Sequence, residues 1–235
     1  MGCVLKSKKE FREDGTLKYV KAYFGDELQR HKYYDFVSID RPVQVLEYSL
    51  NGEDCIKRTN FYKHGKQVVK YLDGNEELWM KWDENGKLKH EKIFLNNKEH
   101  GKWIFYYENG KIKLEENYFD GEKHGLFKEY YPNNILKSEK SYLNNELNGN
   151  WIMWFDNGQI YIHRNYVEGK LDGFVKVWNE KGILIKKNRF KEDKWHGVST
   201  WFNDNGTFQS ATNFNNGIKL EKVWWYDGKL HFNKY

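Results

Sequence analysis

A 24-residue period runs through most of this 235-residue chain and restricts its possible folds more than any single motif does. Four sequence columns keep this period without an insertion. Two columns are aromatic at every step: Trp82, Tyr106, Tyr130, Trp154, Trp178, Phe202 and Tyr226, and then Phe94, Tyr118, Tyr142, Tyr166, Phe190 and Phe214. Two further columns hold glycine: Gly86, Gly110, Gly158, Gly182 and Gly206, with Asn134 inside that series, and Gly101, Gly125, Gly149, Gly173 and Gly197. Such a period predicts a stacked repeat protein, and repeat arrays usually serve as binding surfaces.

Each repeat contains two extended segments separated by turn residues. In one unit the run 103–107 is followed by Asn109-Gly110, then by the extended segment 112–119 and by Asp120-Gly121. Asn-Gly predicts a type I′ turn, in which both central residues have positive φ. Where Asn134 replaces the glycine we expect the turn to survive, because asparagine also tolerates positive φ. The sequence therefore predicts an all-β fold, an elongated antiparallel β-hairpin array that forms a single-layer twisted sheet.

The period is regular over residues 78–235 and degenerate over residues 1–77, where the spacing between turn glycines is longer. Terminal repeats are often atypical because they cap an array. We therefore expect a degenerate N-terminal cap at 1–77 and a regular array at 78–235. No linker rich in Gly, Ser or Pro separates them, which predicts one continuous body.

Composition and motifs argue against several classes of function. Aromatic residues make up 18% of the chain, so a thin core would be built mainly from their rings. The net charge of +5 comes from mixed charges, so we expect no nucleic-acid partner. The two cysteines cannot form a zinc site, and no nucleophile elbow, P-loop or dinucleotide fingerprint is present. We expect a non-enzyme without a cofactor.

Three histidines occupy one column, directly before the closing glycine of their repeats: His100, His124 and His196. A zinc ion needs its ligands within about 2.1 Å, whereas neighbouring hairpins are roughly 9.5 Å apart. These histidines are therefore interpreted as surface residues near turns, and no metal is expected.

The period and its letters resemble MORN repeats, most closely the bacterial variant with an aromatic residue and an Asn-Gly turn. The resemblance rests on the segment from Phe119 to Gly125, followed by an aromatic strand and another turn, in phase over six units. Bacterial chains of this kind are commonly classed as YwqK-like antitoxins. The resemblance implies a protein that binds a partner, often a toxin, or a membrane or scaffold role as in eukaryotic arrays.

One set of first-strand positions varies along the array and is a candidate docking surface. Its residues are Trp103, Phe105, Tyr107, Phe127, Tyr131, Trp151, Met153 and Phe155. Alternation along a strand puts them on one face, and aromatic residues are common at interface hot spots. The alternative is that a capping segment or the curvature of the sheet covers this face. The two invariant aromatic columns are interpreted as cross-strand packing ladders.

The N-terminus offers a lipid attachment signal as an alternative to an ordinary start. Gly2 and Cys3 precede Lys6, Lys8 and Lys9, which is typical of dual acylation, and Gly-Cys can also end a lipobox. The usual acylation pattern has Ser or Thr at the position of Lys6. We expect a cytoplasmic protein, with a membrane-anchored lipoprotein as the alternative.

The residues and the resemblance together predict a non-catalytic protein-binding module. The most concrete version is a bacterial antitoxin or immunity protein, monomeric, that occludes a toxin. The alternative is a membrane-associated or cell-envelope scaffold tethered through Cys3. A third possibility is self-assembly through exposed sheet edges.

Overall fold

The computed structural model describes the backbone of residues 5–11, 17–24, 27–33, 43–48, 55–62, 65–72 and 75–235, and side chains of residues 57–60, 65–72 and 75–235. The chain divides into two compact units, Met1–Gly110 and Lys111–Tyr235. The division at 77/78 stays a prediction, and Gly2 and Cys3 lie outside the described residues.

The described residues of the first unit form nine strands, and each strand pairs antiparallel with the next one of the nine. They are β1 (Leu5–Phe11), β2 (Leu17–Phe24), β3 (Glu27–Tyr33), β4 (Val43–Tyr48), β5 (Cys55–Tyr62), β6 (Gly65–Tyr71), β7 (Glu76–Trp82), β8 (Leu88–Leu95) and β9 (Lys98–Tyr106).

The second unit repeats a hairpin of one long strand and one strand that is often split in two. Its strands are β10 (Ile112–Phe119), β11 (Glu122–Lys123), β12 (Gly125–Tyr130), β13 (Leu136–Leu143), β14 (Glu146–Trp154), β15 (Ile160–Val167), β16 (Lys170–Leu171), β17 (Gly173–Trp178), β18 (Leu184–Lys191), β19 (Lys194–Trp195), β20 (Gly197–Phe202), β21 (Phe208–Asn215), β22 (Ile218–Tyr226) and β23 (Lys229–Lys234). Neighbouring strands are antiparallel throughout. The prediction of an all-β antiparallel hairpin array is confirmed, and no helix of the described residues is long and apolar enough to cross a membrane.

The Asn-Gly turns are not type I′, so that prediction is wrong. At Asn109-Gly110 only the glycine has positive φ, 80°, and its N–H donates to the carbonyl of Tyr107 at 2.9 Å. This is a three-residue loop, in which a type I turn is followed by one left-handed residue. Asn134 takes that left-handed place at φ 76° and keeps the same hydrogen bond to Tyr131, at 2.8 Å, which confirms that this turn survives.

The two-residue type I′ turns lie at the opposite ends of the strands. Both central residues have positive φ in these turns, for example 51° and 88° at Asp120-Gly121 and 48° and 65° at Glu192-Asp193. Successive turns are also tied to one another. The Asp193 carboxylate accepts from the Leu171 N–H at 2.8 Å, and at the other end the Asn133 amide donates to the carbonyl of Asp156 at 3.1 Å. Local turn chemistry therefore fixes the register of each hairpin on the next.

Candidate binding face

The strand register sorts side chains of the second unit onto two faces, because directly opposite residues of an antiparallel pair project to the same side. Phe127 lies opposite Lys140, Lys140 opposite Trp151, and Trp151 opposite Arg164. We call the side that holds these four residues the aromatic face. The other side, which holds Lys128 opposite Glu139, is the reverse face.

Aromatic rings pack in a continuous series on the aromatic face. Phe127 lies between Tyr118, at 5.6 Å between ring centroids, and Tyr142, at 4.8 Å, both edge to face. Trp151 contacts Tyr166 at 6.0 Å. Such pairs contribute about 0.5–1.5 kcal/mol each beyond the area they bury. The second aromatic column is therefore a packing ladder, as expected, but it packs against the very positions that alternation offered as a docking surface.

Cations lie over these rings. The Arg164 guanidinium is 5.0 Å from the Trp151 ring, and the Lys140 ammonium is 5.5 Å from the rings of both Tyr142 and Trp151. Cation–π contacts of this kind contribute about 0.5–1 kcal/mol at exposed sites. Each ring thus helps to hold a positive charge at a fixed place on the sheet.

The aromatic face is also more basic than acidic. By register it holds the cations Lys123, Lys140, Arg164, Lys186, Lys219 and Lys222. Its acids are Glu116 and Glu129, and the Glu129 carboxylate is 2.7 Å from the Lys137 ammonium. A partner that docks here meets a positive surface, which favours an acidic counterpart.

Of the predicted docking residues in the second unit, Phe127 is buried, with 3% of its surface exposed. Trp151 and Met153 are half-buried in β14. Tyr131 and Phe155 follow the strand ends, and the Tyr131 hydroxyl donates to the carbonyl of Trp154 at 2.9 Å. The reachable part of the predicted surface therefore consists of Trp151, Met153, Tyr131 and Phe155.

Tyr161 belongs to the same surface and was missed by sequence reasoning. It is 40% exposed, and its ring lies 5.0 Å from that of Phe155. A β-bulge beside Trp154 supplies one extra residue, and Tyr161 is that residue. Simple alternation along the strand places Tyr161 on the reverse face. Only a sequence signal for the bulge could have assigned Tyr161 to the aromatic face.

The remaining predicted residues, Trp103, Phe105 and Tyr107, lie in the first unit. Trp103 is 7% exposed, its indole N–H donates to the carbonyl of Ile93 at 2.8 Å, and its ring is 5.1 Å from that of Phe94. Lys92 stands 4.2 Å over the same ring. Trp103 is thus a packing residue, while Phe105 and Tyr107 are half-buried.

The reverse face carries exposed apolar side chains that sequence reasoning did not single out. They are Phe119, Leu126, Leu143, Val167, Phe174 and Val198, between 41% and 60% exposed. The ion pair Lys128–Glu139, at 3.2 Å, lies among them, and its hydrogen bond raises the pKa of Lys128. On the same side, burial and then Lys176 lower the pKa of His163.

The described residues hold no group of three or more His, Cys, Asp or Glu side chains that could bind a metal ion. His124 instead lies near the Asn144 side chain, with 3.4 Å between Nδ1 and Oδ1. Neither face holds the clustered nucleophile, base and oxyanion donors from which a catalytic site is built.

Fold and site together define a β-hairpin repeat protein with a candidate binding face and no assembled catalytic centre in its described residues. Three consecutive segments match the family model of the MORN repeat variant: residues 99–120, 123–144 and 147–168. No curated protein matched the chain. Repeats of this family suggest a non-catalytic module for protein interaction or membrane association.

Proposed function

We propose that this chain is a non-catalytic, cytoplasmic module that binds and occludes a protein partner, in the manner of an antitoxin or immunity protein. The observation that carries the proposal is the aromatic face, where half-buried rings and fixed cations occur side by side. Trp151 is the central residue, because Lys140 and Arg164 flank its ring at 5.5 and 5.0 Å. Interface hot spots are typically residues of these types surrounded by less important contacts.

The physical basis of such binding is a rigid surface. The two-residue type I′ turns and the three-residue loops tie neighbouring hairpins together, so little backbone entropy is lost on association. The affinity would come from Trp151, Phe155 and Tyr161, which a partner can cover. Lys140 and Arg164 would steer an acidic partner and restrict its orientation.

The test is an affinity pull-down from the native host, followed by quantitative binding of the captured partner to variants. Trp151→Ala and Phe155→Ala should each weaken binding by tenfold or more, because truncation at a hot spot costs about 2 kcal/mol or more. The matched control is Phe174→Ala, an aromatic truncation on the reverse face. The antitoxin proposal further requires that the partner is toxic when expressed alone.

The outcomes are separable. If Trp151→Ala unfolds the protein, Phe155→Ala still reports on binding, since Phe155 follows the strand end and its ring contacts that of Tyr161. Equal losses for Phe174→Ala and Phe155→Ala would place the interface elsewhere. If the captured partner is not toxic, the proposal of a binding module is kept and the antitoxin role is excluded.

A second candidate function, membrane association, is favoured by the exposed apolar row on the reverse face. Phe174 is 41% exposed and has Lys187 4.9 Å from its ring, the combination of apolar and basic groups that suits an anionic lipid surface. Sedimentation with vesicles of phosphatidylserine and phosphatidylcholine tests it. Salt-sensitive binding lost in Phe174→Ala would support this function, and attachment through Gly2 or Cys3 would appear as added mass on native protein.

A further inference from the structure

The last hairpins of the second unit contain a cavity of about 710 Å³. It opens on the aromatic face, and its lining includes Trp195, Trp201, Phe214 and Trp224. This volume lies within the range of small-molecule sites, which are usually clefts lined by aromatic side chains with a few polar groups. The cavity is separate from Trp151 and Phe155.

Side-chain size changes along the array next to this cavity. The first-strand position occupied by Phe127 and Trp151 becomes Val175 and then Ser199 in later repeats. Ser199 is fully buried, and the Trp195 ring packs nearby against Phe214, at 5.0 Å. Ser199 itself does not line the cavity; the small residues that do are Ser210 and Thr212, on the neighbouring strand β21.

The register gives the cavity the shape of a slot. Ser210 lies directly opposite Trp201 on one neighbouring strand and opposite Trp224 on the other. Strands are about 4.8 Å apart, so these two indoles arise roughly 10 Å from each other across the small serine side chain. A flat ring in contact on both faces needs about 7–8 Å, because carbon atoms pack at 3.5–4.0 Å. The slot can therefore admit one aromatic ring.

The charge of the lining defines the rest of the ligand. Lys219 and Lys222 line the cavity, and no Asp or Glu side chain of the described residues does so. Lys222 lies opposite Thr212 in the row next to Ser210, so its ammonium group arises beside the slot. A ligand with an anionic group attached to its ring can pair with these two lysines.

We propose that this cavity binds a planar aromatic ring that carries a phosphate or carboxylate group. Trp201 and Trp224 contact the ring, Ser210 and Thr212 form the floor, and Lys219 and Lys222 bind the anion. A nucleotide and an indole or benzoic acid share this chemistry. The site is independent of the proposed protein partner, whose contacts are at Trp151 and Phe155.

Isothermal titration of the intact chain with four probes tests the proposal: AMP, indole-3-acetate, adenosine and inorganic phosphate. AMP or indole-3-acetate should bind saturably, and saturable binding of either one supports the proposal. Adenosine and inorganic phosphate should each bind at least tenfold more weakly than the better probe, because each lacks one half of the ligand. Adenosine or phosphate binding as tightly as that probe would overturn the proposal, as would no saturable binding below about 10 mM, where the binding free energy is only about 3 kcal/mol.

Variants assign the binding to this cavity. The double variant Lys219→Gln/Lys222→Gln should weaken the better probe by tenfold or more, and Ser210→Val should weaken it by obstructing the slot while both lysines remain. The matched control Lys170→Gln/Lys181→Gln removes two exposed lysines elsewhere in the unit and should leave the affinity unchanged. Circular dichroism confirms that each variant is folded. Equal affinities for the two double variants would overturn the site.

Discussion

The middle and the end of the second unit are built from the same hairpin but differ in their aromatic face, which is filled by rings in the middle and contains a cavity at the end. Around β12 to β15, Phe127 and Trp151 fill the aromatic face, and Lys140 and Arg164 lie over the Trp151 ring. Around β20 to β22, Ser199 takes the equivalent first-strand position, Ser210 lies between Trp201 and Trp224, and a cavity opens. The backbone, its turns and its register are alike in both regions.

The comparison shows that repeat position and surface function are separable in this fold. The turns and the aromatic packing ladders fix the position of each side chain on the sheet. The size of the side chain at that position then determines whether the aromatic face is filled or contains a cavity. The predictions below test how strongly each region depends on its rings, charges and turns.

The largest effect is expected where the middle region is best packed. Phe127→Ala removes a ring that is 3% exposed and lies between Tyr118 and Tyr142. The free energy of unfolding should fall by about 3–5 kcal/mol, because a buried ring is replaced by a cavity. Urea denaturation measures it, with the exposed Phe174→Ala as control. Equal losses for the two variants would show that the aromatic face is not the core of these hairpins.

Much of this molecule could be predicted from the sequence because the repeat carries its own turn signals. Hairpins, turn positions and the tolerance of Asn134 follow from residues that are neighbours in the chain. The predicted turn type was wrong because loop length determines which residues are left-handed. Gly110 closes a three-residue loop, whereas the two-residue loops are at sites such as Asp120-Gly121.

The candidate site was harder to predict than the fold, because the exposure of each of its residues depends on strands that belong to other repeats. Trp103 and Phe127 are of residue types that are common in docking surfaces, yet neighbouring rings bury them. Tyr161 reaches the aromatic face only through a bulge, and the slot at Ser210 requires the register of three strands. Each of these features combines residues that no single repeat contains.

A smaller effect is expected from the charges on the aromatic face. Arg164→Gln removes the guanidinium 5.0 Å from the Trp151 ring and should lower the free energy of unfolding by about 0.5–1 kcal/mol. Arg189→Gln is the matched change on the reverse face, where the guanidinium is 5.6 Å from the more exposed Phe174. Its effect should be smaller. The reverse order in urea denaturation would remove the argument that rings on the aromatic face hold their cations more firmly.

Turn chemistry should give a gain of similar size. Glu192 has φ 48°, a left-handed conformation that costs a glutamate more than an asparagine. Glu192→Asn should therefore raise the free energy of unfolding by about 0.5–1 kcal/mol, within the roughly 1–2 kcal/mol that a left-handed residue costs. The control Glu180→Asn changes an exposed turn residue that is not left-handed and should be neutral. A destabilised Glu192→Asn would mean that the glutamate side chain makes a stabilising contact that outweighs its backbone strain.

The smallest effect concerns pH in the middle region. Burial and then Lys176 lower the pKa of His163, and its Nε2 lies 2.9 Å from the Asn150 side-chain oxygen. The unfolded chain, with an ordinary histidine pKa of about 6.5, therefore binds a proton more readily than the folded chain as the pH falls. Stability is complete above about pH 6.5 and declines below it. His163→Gln should flatten that decline in thermal denaturation between pH 7 and 5. His231→Gln, in the final strand, is the control at the end of the unit that contains the cavity. An unchanged slope in His163→Gln would show that burial in the middle hairpins does not penalise the imidazolium, and would weaken the contrast in packing between the two regions.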